Sequence, residues 1–471
     1  MAGKLEKYLL DAAISNQADI TSENPFGAIG FDQDAPRLGW VHPISFLDIR
    51  ESLEDIADVL KNKDTFIFVG IGGSGNGIKA LLSLFEDSPL YTLDSLDPAA
   101  LKELIAKIAS KKDAALVIPI SKSGTTKETQ LLGHTLKEVF GKDWQSHFLW
   151  LSDPGAFEKL NSLGWQEVKK SAIQPDKKAD MGGRFSCPGS LIFLLPLFLL
   201  LEKDFNELER IYNEYCSFQE TIRRDALALA VKYKDSDKAY FNVYMDQAMH
   251  QSFYPWVVQL FQESIGSKKD NLFVKTVSFN DAFEGFHSLE LKLKIKDPIV
   301  SLMCQMYFFQ SFVAFYAALK GFNFVNQGYV EKYKSQMRKL EGEEIGKIPT
   351  LTLDEIVSEL KKKIKKQQFI EVVLYFHPSV VQIEEIKSRF SKEFSDKQIF
   401  IFVGSDWNHH SYQAAFSDEN TFFVLLLAAS FGQEIEPFSS QTLKKNIESL
   451  RLIAKATYLT IEVKSLLASL S

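Results

Sequence analysis

The sequence predicts an α/β protein built on two doubly wound parallel sheets, in which helices cover both faces of each sheet. Short apolar runs of β-prone residues alternate along the chain with segments whose apolar residues recur at helical spacing. Two of these strand-like runs end in turns rich in glycine or in serine and threonine, and each turn leads into a helical segment. Parallel sheets bind ligands at the carboxyl ends of their strands, so we expect the functional site beside these turns.

The alternation of strands and helices predicts four segments along the chain. They are an N-terminal helical segment (1–44), a first α/β domain (45–205), a helical connection (206–235) and a second α/β domain with a C-terminal extension (236–471). Strands of the first domain are predicted at 65–69, 115–120 and 147–151. Strands of the second domain are predicted at 239–244, 271–278, 368–375, 398–403, 421–427 and 456–463.

The first of the two turns is "VGIGGSGNG" (69–77), which follows the strand-like run "TFIF". A helix is predicted after it, because Ile78, Leu81 and Leu82 fall at helical spacing. A glycine-rich turn at the start of a helix directs backbone N–H groups and the positive end of the helix toward the same point. We therefore expect an anionic group at this turn.

The glycines of this turn also fit the dinucleotide-binding pattern G-x-G-x-x-G. Gly70, Gly72 and Gly75 occupy its glycine positions, and Asp94 follows the motif about 20 residues later. Glycines also occur in such turns because the backbone needs positive φ or close helix packing. These residues alone leave open a nucleotide, another phosphorylated ligand and a purely structural turn.

The second turn is "SKSGTT" (121–126), which follows the apolar strand "ALVIPI" and precedes another helix. Its hydroxyl groups can donate to phosphate oxygens, Lys122 adds a positive charge, and the helix N-terminus supplies further N–H groups. The turn therefore suits a phosphate monoester better than a dinucleotide. The alternative is an ordinary polar loop that caps the helix.

These segments resemble the sugar-isomerase domains of the glucose-6-phosphate isomerase family. Five motifs, in the order in which the family has them, carry the resemblance: "GIGGSGNG" (70–77), "SKSGTTKET" (121–129), "MGGRFS" (181–186), "QLFQESIGSK" (259–268) and "NQGYVEKYK" (326–334). Within the family the chain is most similar to the variant also found fused to a transaldolase, since a long segment continues past Lys334. The resemblance implies flavodoxin-like sugar-isomerase domains.

The implied activity is the interconversion of glucose 6-phosphate and fructose 6-phosphate through a cis-enediol, in glycolysis and gluconeogenesis. The resemblance assigns proton transfer to Glu263, stabilisation of the enediolate to Arg184 and ring opening to Lys334. It assigns the substrate phosphate end to Gly73, Ser74, Ser121, Lys122, Ser123, Thr126, Gln259 and Gln327. The reaction moves a proton between adjacent carbons, so no metal or other cofactor is expected.

The histidine that the family uses for ring opening has no clear counterpart in this sequence. Between Glu263 and Lys334 the only histidine is His287, which lacks the family's Q-H-x-F context. His287 is thus one candidate, with a surface or strand-edge histidine as the alternative. His409 and His410 follow the strand-like run "IFIFVG" and are equal contenders, because ligand sites lie at strand ends.

The bulk composition is typical of a soluble cytoplasmic enzyme. The 54 basic and 61 acidic residues give a net charge of −7 without a basic tract, which disfavours nucleic acid as a partner. Cys187, Cys216 and Cys304 show no paired spacing, as expected for a reducing compartment without a zinc site. The N-terminus lacks the apolar core of a signal peptide, and "LIFLLPLFLLL" (191–201) is too short to span a bilayer, so no membrane association is expected. The family resemblance implies a homodimer.

Two other functions remain open at this point. A sugar-phosphate sensor of the same fold would keep the serine-rich turn but would not need Glu263. An amidosugar isomerase or synthase would keep both the phosphate site and the base. A sugar phosphate is the expected ligand in every case.

Overall fold

A computed structural model describes most of the chain. The described residues are 2–15, 30–32, 35–177, 183–236, 240–245, 250–266, 286–325, 328–416, 418–432 and 434–471. The helices are α1 (Ala2–Ser15), α2 (Phe46–Asp55), α3 (Ala57–Leu60), α4 (Gly73–Leu82), α5 (Pro98–Ile108), α6 (Lys127–Phe140), α7 (Phe157–Leu160), α8 (Leu191–Leu200), α9 (Phe205–Tyr233), α10 (His250–Ile265), α11 (Pro298–Leu319), α12 (Val330–Leu340), α13 (Leu353–Lys363), α14 (Val380–Glu393), α15 (Asp406–His410), α16 (Tyr412–Ala415) and α17 (Ser440–Thr460). The strands are β1 (Phe31–Asp32), β2 (Ala35–Pro36), β3 (Thr65–Val69), β4 (Leu90–Leu93), β5 (Ala115–Pro119), β6 (Leu149–Ser152), β7 (Lys169–Ala172), β8 (Phe241–Val243), β9 (His287–Leu289), β10 (Thr350–Leu351), β11 (Phe369–Tyr375), β12 (Gln398–Val403), β13 (Thr421–Ala428) and β14 (Ser465–Leu470).

The first sheet is parallel and carries both of the turns that the sequence singles out. Strand β3 lies between β4 and β5, and β6 pairs in parallel with β7. Two isolated parallel bridges, Val117 to Phe148 and Ile120 to Leu151, join β5 to β6. The glycine-rich turn follows β3 and the serine-rich turn follows the neighbouring β5, so the two turns meet at one edge of the sheet.

Helices cover both faces of this sheet, as a doubly wound fold requires. Successive residues of β3 point to opposite faces, and Phe66 and Ile67 belong to different hydrophobic clusters. Phe66 shares its cluster with Ile78 of α4, whereas Ile67 shares the other cluster with Leu132 of α6. The predicted fold class is therefore confirmed for this unit.

The second sheet contains five parallel strands in the order β10-β14-β13-β11-β12. The predicted strands at 368–375, 398–403 and 421–427 agree with β11, β12 and β13 to within one residue at each end. Strand β8 overlaps the strand predicted at 239–244 and pairs in parallel with β9 in a separate small sheet. The strand predicted at 271–278 lies outside the described residues.

The strand predicted at 456–463 is wrong. Its first five residues complete helix α17, and the strand of this region, β14, begins at Ser465. Ile453 and Thr457 are buried one helical turn apart, and the Thr457 hydroxyl donates to the Ile453 carbonyl oxygen at 2.7 Å. Packing of this helical face against the sheet outweighs the β-propensity of the local sequence.

The long apolar helices lie in the protein core. Helix α8 is buried along nearly its whole length, as expected for the run at 191–201. Helix α11 is long and apolar enough to cross a membrane, but 94% of its most apolar 18-residue stretch is buried inside the protein. It packs against α9, which occupies most of the predicted helical connection. These helices are core elements of the fold.

Candidate active site

Glu263 lies in the last turn of α10 and is only 7% exposed. Its Oε1 atom is 3.3 Å from Nη1 of Arg184. Its Oε2 atom accepts a hydrogen bond of 3.0 Å from Nε2 of Gln259, one helical turn earlier on the same face. The structure thus brings together Glu263 and Arg184, which the family resemblance assigns to catalysis, and Gln259, which it assigns to the phosphate end of the substrate. A buried carboxylate with a partner on each oxygen has the fixed orientation that a catalytic base requires.

Arg184 is held in one orientation by three groups. It lies in a short 3₁₀ turn (Gly183–Phe185) and is 2% exposed. Nε donates to Oγ of Ser264 and Nη2 donates to the carbonyl oxygen of Phe324, both at 2.6 Å, in addition to the Glu263 contact. Burial lowers the pKa of Arg184, and the Glu263 carboxylate opposes this effect. A rigid guanidinium beside the Glu263 carboxylate could stabilise a developing oxyanion.

The glycine-rich turn brings the Arg184 turn close to the start of α4. A Cβ atom on Gly73 would overlap the carbonyl carbon of Gly183, so only glycine fits there. Ser74 is next in the helix and is partly exposed. Gly72 precedes the helix with φ +62°, and its N–H donates to Oδ1 of Asp406 at 2.6 Å. The Gly72 N–H group of this turn is thus bound by a carboxylate of the chain itself, which sequence reasoning did not identify.

The serine-rich turn presents hydroxyl groups at the N-terminus of α6. Oγ of Ser121 is 2.9 Å from Oγ1 of Thr126, and Oγ of Ser123 is 2.8 Å from Oγ1 of Thr125. Thr126 occupies the N-cap position but its side chain makes no capping hydrogen bond. Ser123 is exposed, whereas Ser121 is buried. A phosphate group placed here would meet hydroxyl donors and uncapped backbone N–H groups.

Lys122 adds a positive charge beside this turn. Burial lowers the pKa of its ammonium group to about 8, with a further contribution from the charge of Arg37 and an opposing one from Asp153. Burial also raises the pKa of Asp153 to about 6, although Lys122 opposes the rise. Arg184 contributes to the low pKa of Lys122 as well, so the two cations lie near each other. This concentration of positive charge favours an anionic ligand.

His409 is the histidine that the structure places at the site. It lies on α15, directly after β12, and its Nε2 atom is 3.0 Å from Oε1 of Glu128 on α6. Its carbonyl oxygen accepts a hydrogen bond of 3.1 Å from Nε2 of Gln259, which also contacts Glu263. Burial favours the neutral imidazole, but the Glu128 carboxylate outweighs this effect and raises the pKa of His409. A carboxylate that holds one ring nitrogen leaves the other nitrogen for acid–base work.

The other two candidate histidines differ from His409, His287 in its position and His410 in its charge. His287 lies on β9, where Nε2 is 2.8 Å from Oγ of Ser236 and the ring stacks on Tyr233 with 4.4 Å between ring centroids. These contacts place His287 against the end of α9 and not among the residues around Glu263. His410 is buried beside His409, and burial lowers its pKa to about 4. It is therefore neutral at physiological pH.

Lys334 lies on α12, where its Nζ atom is 3.2 Å from Oε1 of Glu331 and its side chain is 41% exposed. Its charge acts to lower the pKa of His409, which indicates that the two groups are neighbours. Gln327 lies outside the described residues. Of the residues assigned by resemblance, Lys334 is thus at the margin of the site.

Comparisons with known proteins identify sequence relatives for about half of the chain. No protein-family model matches the chain. A glucose-6-phosphate isomerase of Thermus thermophilus is 30% identical over 247 residues, which is 49% of this chain and 55% of the relative. The enzyme of the same name from Alkaliphilus metalliredigens is 30% identical over 277 residues, which is 52% of this chain and 58% of the relative. The chain thus spans somewhat more than half the length of the curated relatives that it matches.

A solved structure of a glucose-6-phosphate isomerase from Chlamydia trachomatis also matches the chain. It has a TM-score of 0.47 and 14% sequence identity, and the match covers 77% of this chain and 89% of that one. The sequence relatives confirm the resemblance to the glucose-6-phosphate isomerase family over about half of the chain. They support a phosphosugar isomerase function.

Proposed function

We propose that this chain, a homologue of glucose-6-phosphate isomerases, interconverts glucose 6-phosphate and fructose 6-phosphate through a cis-enediol. The observation that supports this most is the buried Glu263 carboxylate, held between Arg184 and Gln259. The reaction needs a base that can reach two adjacent carbons and a cation that faces the developing oxyanion. This arrangement supplies both.

Proton transfer redistributes charge around Arg184 without changing its total. When Glu263 accepts the proton from the substrate carbon, its carboxylate becomes neutral and the negative charge passes to the enediolate oxygen. The Arg184 guanidinium, 3.3 Å from the carboxylate in the resting site, then stabilises the new anion. A buried cation therefore keeps an anionic partner throughout, which avoids the cost of an unpaired charge.

Ring opening precedes proton transfer and requires a proton donor to the ring oxygen. His409 suits this role, because Glu128 holds Nε2 and raises the pKa of the imidazole, which leaves Nδ1 for the substrate. The Lys334 ammonium is the second group we assign to ring opening, as the family resemblance implies. Sequence reasoning left the histidine unassigned between His287, His409 and His410.

The phosphate end of the substrate is assigned to the serine-rich turn. We expect the double variant Ser123→Ala/Thr126→Ala to raise KM for fructose 6-phosphate roughly 10- to 100-fold, because two hydrogen bonds to a charged group are lost. Steady-state kinetics measure this, and kcat should change much less than KM. Ser146→Ala, an exposed hydroxyl distant in sequence from the turn, is the control. An unchanged KM in the double variant would place the phosphate elsewhere.

Lys334 can be tested with a substrate that needs no ring opening. 5-Deoxyfructose 6-phosphate lacks the hydroxyl that closes the ring and stays in the open-chain form. We expect Lys334→Ala to slow turnover of fructose 6-phosphate about 10- to 100-fold and proton exchange on the 5-deoxy compound less than about threefold. Lys339→Ala, on the exposed face of the same helix, is the matched control. Equal losses on both compounds would remove Lys334 from ring opening.

The activity itself is tested by a coupled spectrophotometric assay. Purified protein is supplied with fructose 6-phosphate, and glucose 6-phosphate is detected through a dehydrogenase, with Glu263→Gln as the inactive control. Binding of fructose 6-phosphate without turnover would replace the isomerase with a sugar-phosphate sensor. A role in glycolysis and gluconeogenesis, a cytoplasmic location and a homodimer belong to the same proposal and rest on the family resemblance.

A further inference from the structure

We propose that Asp406 is a positioning residue, whose carboxylate ties α15, and with it His409, to the glycine-rich turn of the first sheet. The inference rests on the proposed function, because it concerns the histidine assigned to ring opening. Neither the sequence motifs nor the comparisons assign a role to Asp406.

The Asp406 carboxylate makes two hydrogen bonds to the start of α4. Oδ1 accepts from the N–H of Gly72 at 2.6 Å, and Oδ2 accepts from Nδ2 of Asn76 at 3.3 Å. Asp406 is 6% exposed, so these bonds form away from bulk water. Bonds to a buried carboxylate are among the stronger hydrogen bonds in proteins. They connect α15, the short helix that follows β12 of the second sheet, to the turn after β3.

These two bonds also determine where His409 lies. Helix α15 has only five residues, so its own backbone bonds hold it weakly. His409 follows Asp406 by three residues, and a Cβ atom on Gly72 would come within 2.9 Å of the His409 Cβ. Asn76, the second donor to Asp406, also contacts Gln259 through Nδ2 and Oε1 at 3.5 Å. The same small set of contacts therefore spaces the imidazole from the Glu263 base.

The charges around Asp406 favour the ionised carboxylate. Burial alone would raise the pKa of Asp406. The positive charge of Lys79 on α4 and the hydrogen bond from the Gly72 N–H outweigh burial and lower this pKa below its ordinary value. Lys79 is itself paired with Asp94, directly after β4. His410 lies with Nε2 3.8 Å from Oδ2 of Asp406 but is neutral at physiological pH and adds no charge there. The negative charge of Asp406 in turn acts to raise the pKa of His409.

Charged and titratable groups face His409 from several elements. Glu128 projects from α6, Lys334 from α12, and Asp406 and His410 from α15 itself. Glu263 on α10 shares Gln259 with the His409 carbonyl oxygen. Glu128 keeps the pKa of His409 raised when Asp406 is neutralised, but we expect the alkaline limb of the pH profile to move to lower pH.

The test compares Asp406→Asn with wild type on fructose 6-phosphate and on 5-deoxyfructose 6-phosphate. Asparagine is nearly isosteric and retains one acceptor for Gly72, but it loses the charge and the second acceptor. We expect kcat on fructose 6-phosphate to fall about tenfold with KM within about twofold, and turnover of the 5-deoxy compound to stay within about twofold. The alkaline limb on fructose 6-phosphate should move to lower pH.

Glu138→Gln is the matched control. Glu138 on α6 also accepts hydrogen bonds across the fold, from the backbone N–H of Ser439 and the hydroxyl of Thr442 at the start of α17, but it lies outside the candidate site. It should leave both rates and the pH profile unchanged. Equal losses on both substrates in Asp406→Asn, or an unmoved alkaline limb, would overturn the positioning role. Wild-type protein that turns over neither compound would overturn the proposed function and this inference with it.

Discussion

Replacing Glu263 with glutamine should lower kcat at least about 100-fold, the lower end of what positioned proton transfer contributes. Glutamine keeps the shape of the side chain but cannot accept the proton from the substrate carbon. The rate of isomerisation at saturating fructose 6-phosphate measures the loss. Exchange of substrate protons with solvent should fall by the same factor, because both processes depend on the same proton transfer.

The same substitution should also affect stability. Arg184 is 2% exposed, and loss of the Glu263 charge leaves it without its carboxylate partner. Breaking one side of a buried ion pair costs on the order of 3 kcal/mol, so thermal unfolding should occur at a lower temperature. Glu290→Gln, which makes the same change at an exposed position, is the control for both measurements. It should leave the rate and the unfolding temperature unchanged.

Folding of the variant can be separated from catalysis by ligand binding. Arabinonic acid 5-phosphate carries a carboxylate where the enediolate forms, and it should still bind to Glu263→Gln through Arg184 and the serine-rich turn. Calorimetric titration of this compound provides the check. Normal turnover by Glu263→Gln would mean that another residue is the base and that the motif around Glu263 has been misassigned.

Much of the fold could be predicted because its strands are locally distinctive. The runs at 65–69 and 398–403 are apolar and β-prone, and each is followed by a turn rich in polar or glycine residues, so local signals sufficed. The segment at 456–463 misled because its β-prone residues are buried through the face of a helix. Only the contact with the sheet decides between the two conformations there.

The candidate site was also predictable only where its residues lie in local motifs. Glu263, Arg184 and the serine-rich turn could be proposed as site residues because each lies in a short motif. The bond between Gly72 and Asp406 joins residues 334 positions apart, and that between His409 and Glu128 joins residues 281 apart. No local pattern encodes such pairs. The available signal was the position of both α15 residues directly after a parallel strand, where ligand sites lie.

The second large effect is expected for His409→Asn, which should slow turnover of fructose 6-phosphate about 100-fold and leave 5-deoxyfructose 6-phosphate within about threefold of wild type. Asparagine keeps a polar side chain near Glu128 but cannot donate a proton to the ring oxygen as an imidazolium does. In wild type, the Glu128 carboxylate raises the pKa of His409 and so extends the protonated form to higher pH. Turnover of the ring-closed substrate should therefore decline as the pH rises through that raised pKa.

This alkaline decline provides a second readout. It should be absent on the 5-deoxy compound, which does not use the acid, and it should be lost in His409→Asn on fructose 6-phosphate. His287→Asn is the matched control, because it makes the same chemical change in a histidine whose contacts are Ser236 and Tyr233. If His287→Asn slowed only the ring-closed substrate while His409→Asn did not, ring opening would belong to His287 and the pairing of His409 with Glu128 would be structural. Equal losses on both substrates in His409→Asn would likewise exclude His409 as the acid, because an acid needed only for ring opening cannot affect a substrate that is already open.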